Sequence, residues 1–490
     1  MDLKSVIQKD IKSTSQSRLW GDCVILVVTV GFFGLWPALK WMQLFPLVEF
    51  RSKIYFDLPF NWLWQNWTLR GDNIWSSSFY FDSWVGKVCE TSVVCLNSFP
   101  LIINFFTVLA LYAASIIFFR RRIIAMFCCI FWLLSAPYLE TLAWQALSLD
   151  KIAALTTIVG SLIGFKFYKS EYAYSKMMTA NVLLLLLVVV GYNAKPSAWV
   201  LVPGLWLIPI IGEGIRVAKW TQYLILPTIY GLINNFYVYK KVQADTYYKE
   251  HTSGGSPKLN LDKFVSYLFG GRAPNNVSKA IFFLVVLLIL VGILTRIRIA
   301  RLGLWSLLIV LGGFAISART IYGSAFYMLV SQAFFIWSIS AAILVVSALA
   351  NRIEISKFQI EAVLFIVISL LFVQKARETN KYYEVGIQQS KNFMGSFERI
   401  KIEVARSKQS HLKILIGDSM DYKYVDGGPL GKFISSNFPI PESNISWMHT
   451  NDFEYDLAES DTLYVHYNDE MNIGDVFVIP NGLVPQGNDS

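Results

Sequence analysis

Histidine is almost missing from this chain. Four occur in 490 residues, at His251, His411, His449 and His466, and none falls inside a long apolar run. That argues against an acyltransferase or proton relay built on an intramembrane imidazole, which needs a titratable ring inside a span. Charge is scarce as well. Only 16% of residues are Asp, Glu, Lys or Arg, against 54% hydrophobic, and soluble domains carry about 25% charge. Cysteine is limited to five residues. Cys23, Cys128 and Cys129 lie in or beside apolar runs and read as inert fillers. Cys89 and Cys95 are spaced C-x5-C in one polar stretch, which permits a local disulfide on an oxidising side and is not a zinc spacing. The first apolar run, 24–44, is too long for a signal-peptide core and has no small-residue cleavage site after it, so it reads as a span.

What the chain has in quantity is apolar length. Runs long enough to cross a bilayer recur about eleven times before residue 375. We place them at 21–44, 100–119, 123–138, 151–166, 177–192, 198–212, 220–238, 279–295, 302–317, 325–350 and 358–374. Basic residues gather at every second junction: Lys9, Lys12 and Arg18; Arg120 to Arg122; Lys166, Lys169 and Lys176; Arg216 and Lys219; Arg296, Arg298 and Arg301; Arg352 and Lys357. The positive-inside bias puts these junctions and the N-terminus in the cytoplasm. The remaining junctions, including the long loops 45–99 and 239–278, then face outward. The net charge of +9 sits largely in the cytoplasmic loops, so it reports topology and lipid contact rather than nucleic-acid binding.

Residues 375–490 change character: hydrophobicity falls and charge rises. An amphipathic helix is expected over 391–408 and short strands over 412–416 and 462–467. About 115 residues can bury a small core, so the tail reads as an outer α/β domain.

The first outer loop is richest in candidate chemistry. It carries Glu49, Asp57 and Asp72, and between the last two lies Asn61 to Leu69, with Trp62, Trp64 and Trp67 among polar residues. That pattern suits a helix lying in the membrane interface. A carboxylate held just before it is half desolvated and can act as a base on a hydroxyl. Asp57 occupies that position, with Gly71 and Trp75 following the helix.

This arrangement resembles the glycosyltransferase C (GT-C) superfamily, polytopic enzymes that use polyprenyl-phosphate-linked sugars. Asp57, Asn61 to Leu69, Gly71 and Trp75 look like the family's first outer loop. Ser98-Phe99-Pro100-Leu101 is similar to the start of its second span, and Trp144-Gln145-Ala146-Leu147-Ser148-Leu149 to the polar turn before its fourth. Asn193-Ala194-Lys195-Pro196 is similar to the Lys-Pro at the entry to its sixth. The likeness covers roughly 20–375; the paired acidic motif of many members is not present as adjacent residues. The resemblance implies a GT-C-like helical membrane fold and hexosyl transfer, glucose favoured, from a polyprenyl-phosphate donor. The acceptor would be a lipid-linked or lipopolysaccharide glycan such as O-antigen, on the periplasmic side of a bacterial inner membrane. Size and span count also resemble serotype-converting glucosyltransferases.

Asp57 is then the candidate catalytic base, with Glu49 and Asp72 as further loop carboxylates near substrate. Lys195 and Arg319 are basic residues in short outer turns, where few are expected. Each can stabilise a leaving phosphate; the alternative role is snorkelling for Lys195 and pairing with a loop carboxylate for Arg319. Tyr322 shares the Arg319 turn. Gln145 and Asp150 lie on another outer turn and can meet sugar hydroxyls; capping of the following helix is the alternative role for Asp150. No cofactor is assigned, and assistance by a divalent cation stays open.

Three other readings compete. A flippase would need charge deep in its spans, where Lys40 and Glu361 are the main exceptions and both lie near span ends. A polysaccharide polymerase would not need the C-terminal domain. An O-acyltransferase is suggested by Ile416-Gly417-Asp418-Ser419, which resembles the nucleophile block of GDS-type esterases. The accompanying Asp-x-x-His is missing, because Leu463 stands three before His466.

Overall fold

The computed structural model describes residues 84–85, 88, 93–143, 148–169, 174–211, 222–244, 264–266, 268, 276–317, 328–351, 357–407, 410–416, 444–449, 462–467 and 473–478. The expected first span, the interfacial helix and the cysteines at 23 and 89 lie outside them.

The described chain is mostly helical. In order come α1 (Val93–Phe119), α2 (Arg122–Leu133), α3 (Ala136–Ala143), α4 (Ser148–Lys169), α5 (Tyr174–Ala194), a 3-10 turn (Pro196–Val200), α6 (Leu201–Trp206), a second 3-10 turn (Ile208–Ile210), α7 (Ile225–Ala244), α8 (Asn276–Leu294), α9 (Arg298–Ser317), α10 (Leu329–Ala350) and α11 (Lys357–Ser407). Seven of these hold a stretch long and apolar enough to cross a membrane: α1, α4, α5, α8, α9, α10 and α11. The protein is therefore a multi-pass helical membrane protein.

Three expected elements differ, each for a local reason. The run at 123–138 breaks at Leu134–Ser135. Ser135 Oγ accepts the Tyr138 N–H at 3.4 Å and so caps a new helix, and Pro137 cannot continue the old ladder. The run at 198–212 is not one helix. Pro196, Pro203 and Pro209 divide it into two 3-10 turns around α6. Carbonyls loosened by such breaks need donors inside a membrane. Trp305 Nε1 donates to Gly204 O at 2.8 Å, and Tyr192 Oη donates to Trp199 O at 2.9 Å. Finally, the last span and the expected amphipathic helix fuse into the 51-residue α11, because no proline interrupts 358–408.

The described residues divide into two compact units, 97–379 and 84–96 with 380–478, so the division falls within α1 after Leu96 and within α11 after Thr379. In the first unit α10 is buried on nearly every side. It packs on α2, α3, α4, α8, α9 and the Pro196–Val200 turn. Trp305, Phe334 and Trp337 form an aromatic centre with Phe118 and Phe165. Cys128 and Cys129 are buried free thiols of α2. Two tight helix hairpins turn through left-handed arginines, Arg120 at φ 55° and Arg296 at φ 59°, where glycine is the usual choice.

The second unit holds a sheet of β1 (His411–Ile416), β2 (Ile445–His449), β3 (Thr462–Tyr467) and β4 (Ile473–Val478). Its strand order is β2-β1-β3-β4. β1 runs parallel to both neighbours, and β4 is antiparallel to β3. The near-continuous apolar runs of β1 and β3 suit central parallel strands covered on both faces, and Leu412, Ile414, Leu463 and Val465 are buried.

Candidate functional site

Of the eight site residues expected from sequence, Asp150 and Lys195 fall among the described residues, and the structure brings them together. Glu49, Asp57, Asp72, Gln145, Arg319 and Tyr322 lie outside the described residues.

Each member of the pair is placed by its local sequence. Asp150 sits in the first turn of α4, where the helix dipole favours a carboxylate. Lys195 follows the last residue of α5 and precedes Pro196. A residue before proline is pushed to extended backbone, and Lys195 adopts φ −157°, ψ 147°. Its amide donates to Gly191 O and its carbonyl accepts from the Ala198 amide, both at 3.1 Å. The two helices meet closely because Gly191 has no side chain: a Cβ there would lie 2.6 Å from Thr156 Oγ1 of α4. Small residues allow this kind of approach between membrane helices.

Lys195 Nζ lies 3.1 Å from Asp150 Oδ2, with side chains 12% and 1% exposed. The pair is thus withdrawn from water, where desolvation is costly unless every polar atom finds a partner. One does not: Asp150 Oδ1 is buried with no hydrogen-bond partner among the described residues. The turn after Lys195 adds two more such atoms, Ser197 Oγ and Trp199 Nε1. Beside it, Asn193 Nδ2 bonds Tyr230 Oη at 2.6 Å and Val189 O at 2.8 Å.

A second ion pair in the same unit is built differently. Arg121 Nη1 contacts both carboxylate oxygens of Glu361 at 2.7 Å, and Ser347 Oγ donates to Glu361 Oε1 at 2.7 Å. It joins the α1–α2 turn to α10 and the start of α11. The two pairs occupy opposite ends of the helices. Phe118, three residues from Arg121, packs on Phe165, which lies fifteen residues along α4 from Asp150, about 22 Å of helical rise.

Asp150 can hold a cation with one oxygen and accept a hydroxyl with the other. Lys195 supplies positive charge that needs no reorganisation when an anion arrives. Among the described residues no group of three His, Cys, Asp or Glu side chains could hold a metal ion. Sequence reading selected both members of this pair but not their contact, since positions forty-five residues apart carry no spacing signal. It passed over Ser197 and Trp199, although both belong to the turn begun by Lys195-Pro196. No family model matches the chain, and no curated protein is detectably similar to it.

Proposed function

We propose that this protein is a membrane glycosyltransferase of GT-C-like architecture. It has about eleven spans, a cytoplasmic N-terminus and a periplasmic C-terminal α/β domain. It moves a hexose, glucose favoured, from a polyprenyl-phosphate donor to a surface glycan such as O-antigen at the outer face of a bacterial inner membrane. The observation that carries this reading is the buried Asp150–Lys195 pair with its open carboxylate oxygen. It stands at the end of the helices that the basic clusters assign to the outside.

In this reading Asp57 takes the proton of the acceptor hydroxyl. The hydroxyl oxygen attacks the anomeric carbon, and the bond from that carbon to the phosphate oxygen breaks. The phosphate leaves with the electron pair, and a single displacement inverts the anomeric centre. Lys195 and Arg319 meet the charge that develops on the phosphate. Asp150 holds Lys195 in place through Oδ2 and receives a sugar hydroxyl at Oδ1. Asp57→Asn should abolish transfer from a polyprenyl-phosphate hexose while the protein stays folded and inserted; wild-type-like transfer by that variant defeats the assignment of the base.

One observation favours a flippase as a second reading. Asp150 opens a helix long enough to cross the membrane and is completely buried, and ionisable groups in such helices mark transport paths. A flippase moves lipid-linked sugar between leaflets of a proteoliposome without breaking the sugar–phosphate bond, which separates the two readings.

A further inference from the structure

Two helix hairpins turn on an arginine, Arg120 between α1 and α2 and Arg296 between α8 and α9. Their φ angles of 55° and 59° lie in the left-handed region, where a residue with a Cβ is strained. Glycine or asparagine turns a chain there with less strain. Neither turn needs the side chain to close. Arg120 N donates to Ile116 O at 2.8 Å, Arg296 N to Ile293 O at 3.0 Å and Ile297 N to Gly292 O at 2.8 Å. Nor is the charge needed to orient the chain, because Arg121, Arg122, Arg298 and Arg301 supply that signal beside them without a left-handed backbone. Both turn arginines are exposed, and neither side chain makes a hydrogen bond or ion pair among the described residues. Strain kept at an exposed and uncommitted charge points to a ligand.

Contacts with α10 set the two turns at the same end of the helical unit. A Cβ at Gly292 of α8 would lie 2.6 Å from Ala300 Cβ of α9 and 2.7 Å from Val345 Cγ2 of α10, so that hairpin closes against Val345. Ser347, about 3 Å of rise further along α10, donates to Glu361 Oε1, and the same carboxylate takes Arg121 of the other hairpin. Arg120 adjoins Arg121, and Arg296 stands one turn past Gly292. Both turns therefore lie at the end away from Asp150, which the basic clusters assign to the cytoplasm. Each also has an apolar neighbour turned outward: Ile123 is 64% exposed and Leu294 is 82% exposed. The arginines thus stand where the lipid-facing surface of the helices ends.

We propose that each arginine turn is a binding site for the headgroup of an anionic phospholipid. The chemistry of the groups selects the ligand. A guanidinium matches the oxygens of a phosphate in a fixed fork, and the exposed Ile123 and Leu294 suit the acyl chains attached to it. A free phosphate or a soluble nucleotide gains nothing from those apolar neighbours. The cytoplasmic leaflet is the one whose anionic lipids attract basic residues at a membrane surface. A left-handed residue at a hairpin tip projects beyond both helices, so its charge meets the headgroup layer rather than the bundle. This inference is independent of the sugar-transfer reading.

The test uses the full chain in nanodiscs of phosphatidylcholine, alone or mixed with phosphatidylglycerol, with lipid retention followed by native mass spectrometry. Wild type should melt higher in the mixed lipid, since a ligand that binds the folded state stabilises it. Arg120→Asn and Arg296→Asn should each weaken retention of phosphatidylglycerol about fivefold, and the double variant roughly 25-fold, the scale of one basic residue at an anionic surface. In phosphatidylcholine alone the double variant should melt as wild type does or higher, because asparagine enters the left-handed region more easily. Lysine at both turns keeps the charge and should keep most of the shift. Arg298→Gln removes an equal charge beside one turn and should weaken retention less than Arg296→Asn. Absence of the shift in wild type overturns the sites whatever the variants do, and so does an equal shift with inorganic phosphate. Equal losses in Arg298→Gln and Arg296→Asn overturn them as well, since bulk charge then explains the effect. A double variant that keeps the shift and melts lower in phosphatidylcholine does the same, and marks the arginines as partners of the helix C-terminal dipoles.

Discussion

The two ion pairs of the helical unit make an instructive contrast. Arg121–Glu361 is closed: both carboxylate oxygens are engaged, and Ser347 adds a third bond. Its arginine is 39% exposed, so water shares the cost of the charge. Asp150–Lys195 is open: it is far more buried, and it leaves Asp150 Oδ1 unmatched among the described residues. Burial and satisfaction run opposite to what stability alone would select. A clasp between α1–α2, α10 and α11 explains the first pair. The second costs more than it returns to the fold, which is the condition expected of a group kept for a ligand.

The contrast can be broken by removing one partner at a time. The largest effect is expected for Asp150→Ala, which takes the carboxylate away from a buried ammonium and should cost about 3–5 kcal/mol of stability, read as a large drop in the melting temperature of the nanodisc-embedded protein. Next comes the double variant Asp150→Leu with Lys195→Met. Replacing a whole buried pair by apolar side chains is often neutral, so most of that loss should return in the same melt while transfer stays absent. Glu361→Gln should cost no more than about 1 kcal/mol, because a partly exposed arginine recovers solvent, and transfer should persist. The smallest effect is that of salt. Raising ionic strength to about 1 M shortens screening to roughly 3 Å. It should reduce the coupling measured by a double-mutant cycle on Arg121–Glu361 and leave that of Asp150–Lys195 nearly unchanged.

Much of this architecture was legible in the chain because the bilayer makes apolar length an explicit signal. The helices at 151–166, 177–192 and 302–317 emerged within a few residues of their expected ends, and the strands at 412–416 and 462–467 did as well. What misled was proline and serine chemistry inside apolar runs. The runs at 123–138 and 198–212 have the hydropathy of spans, but Ser135, Pro137, Pro203 and Pro209 break their ladders, and hydropathy is blind to that. At the site, Lys195 stood out because it is a basic residue at a turn predicted to avoid one, and Asp150 because it shares an outer turn with Gln145.

Sugar transfer measured on two charge-removing variants side by side, with a polyprenyl-phosphate hexose as donor, separates the two pairs most directly. Lys195→Met should lower the rate at least about 100-fold, the scale of losing one transition-state donor, while Glu361→Gln stays within about twofold of wild type. Wild-type-like transfer by folded, inserted Lys195→Met, or equal losses in both variants, would contradict the claim that the open pair is the functional one.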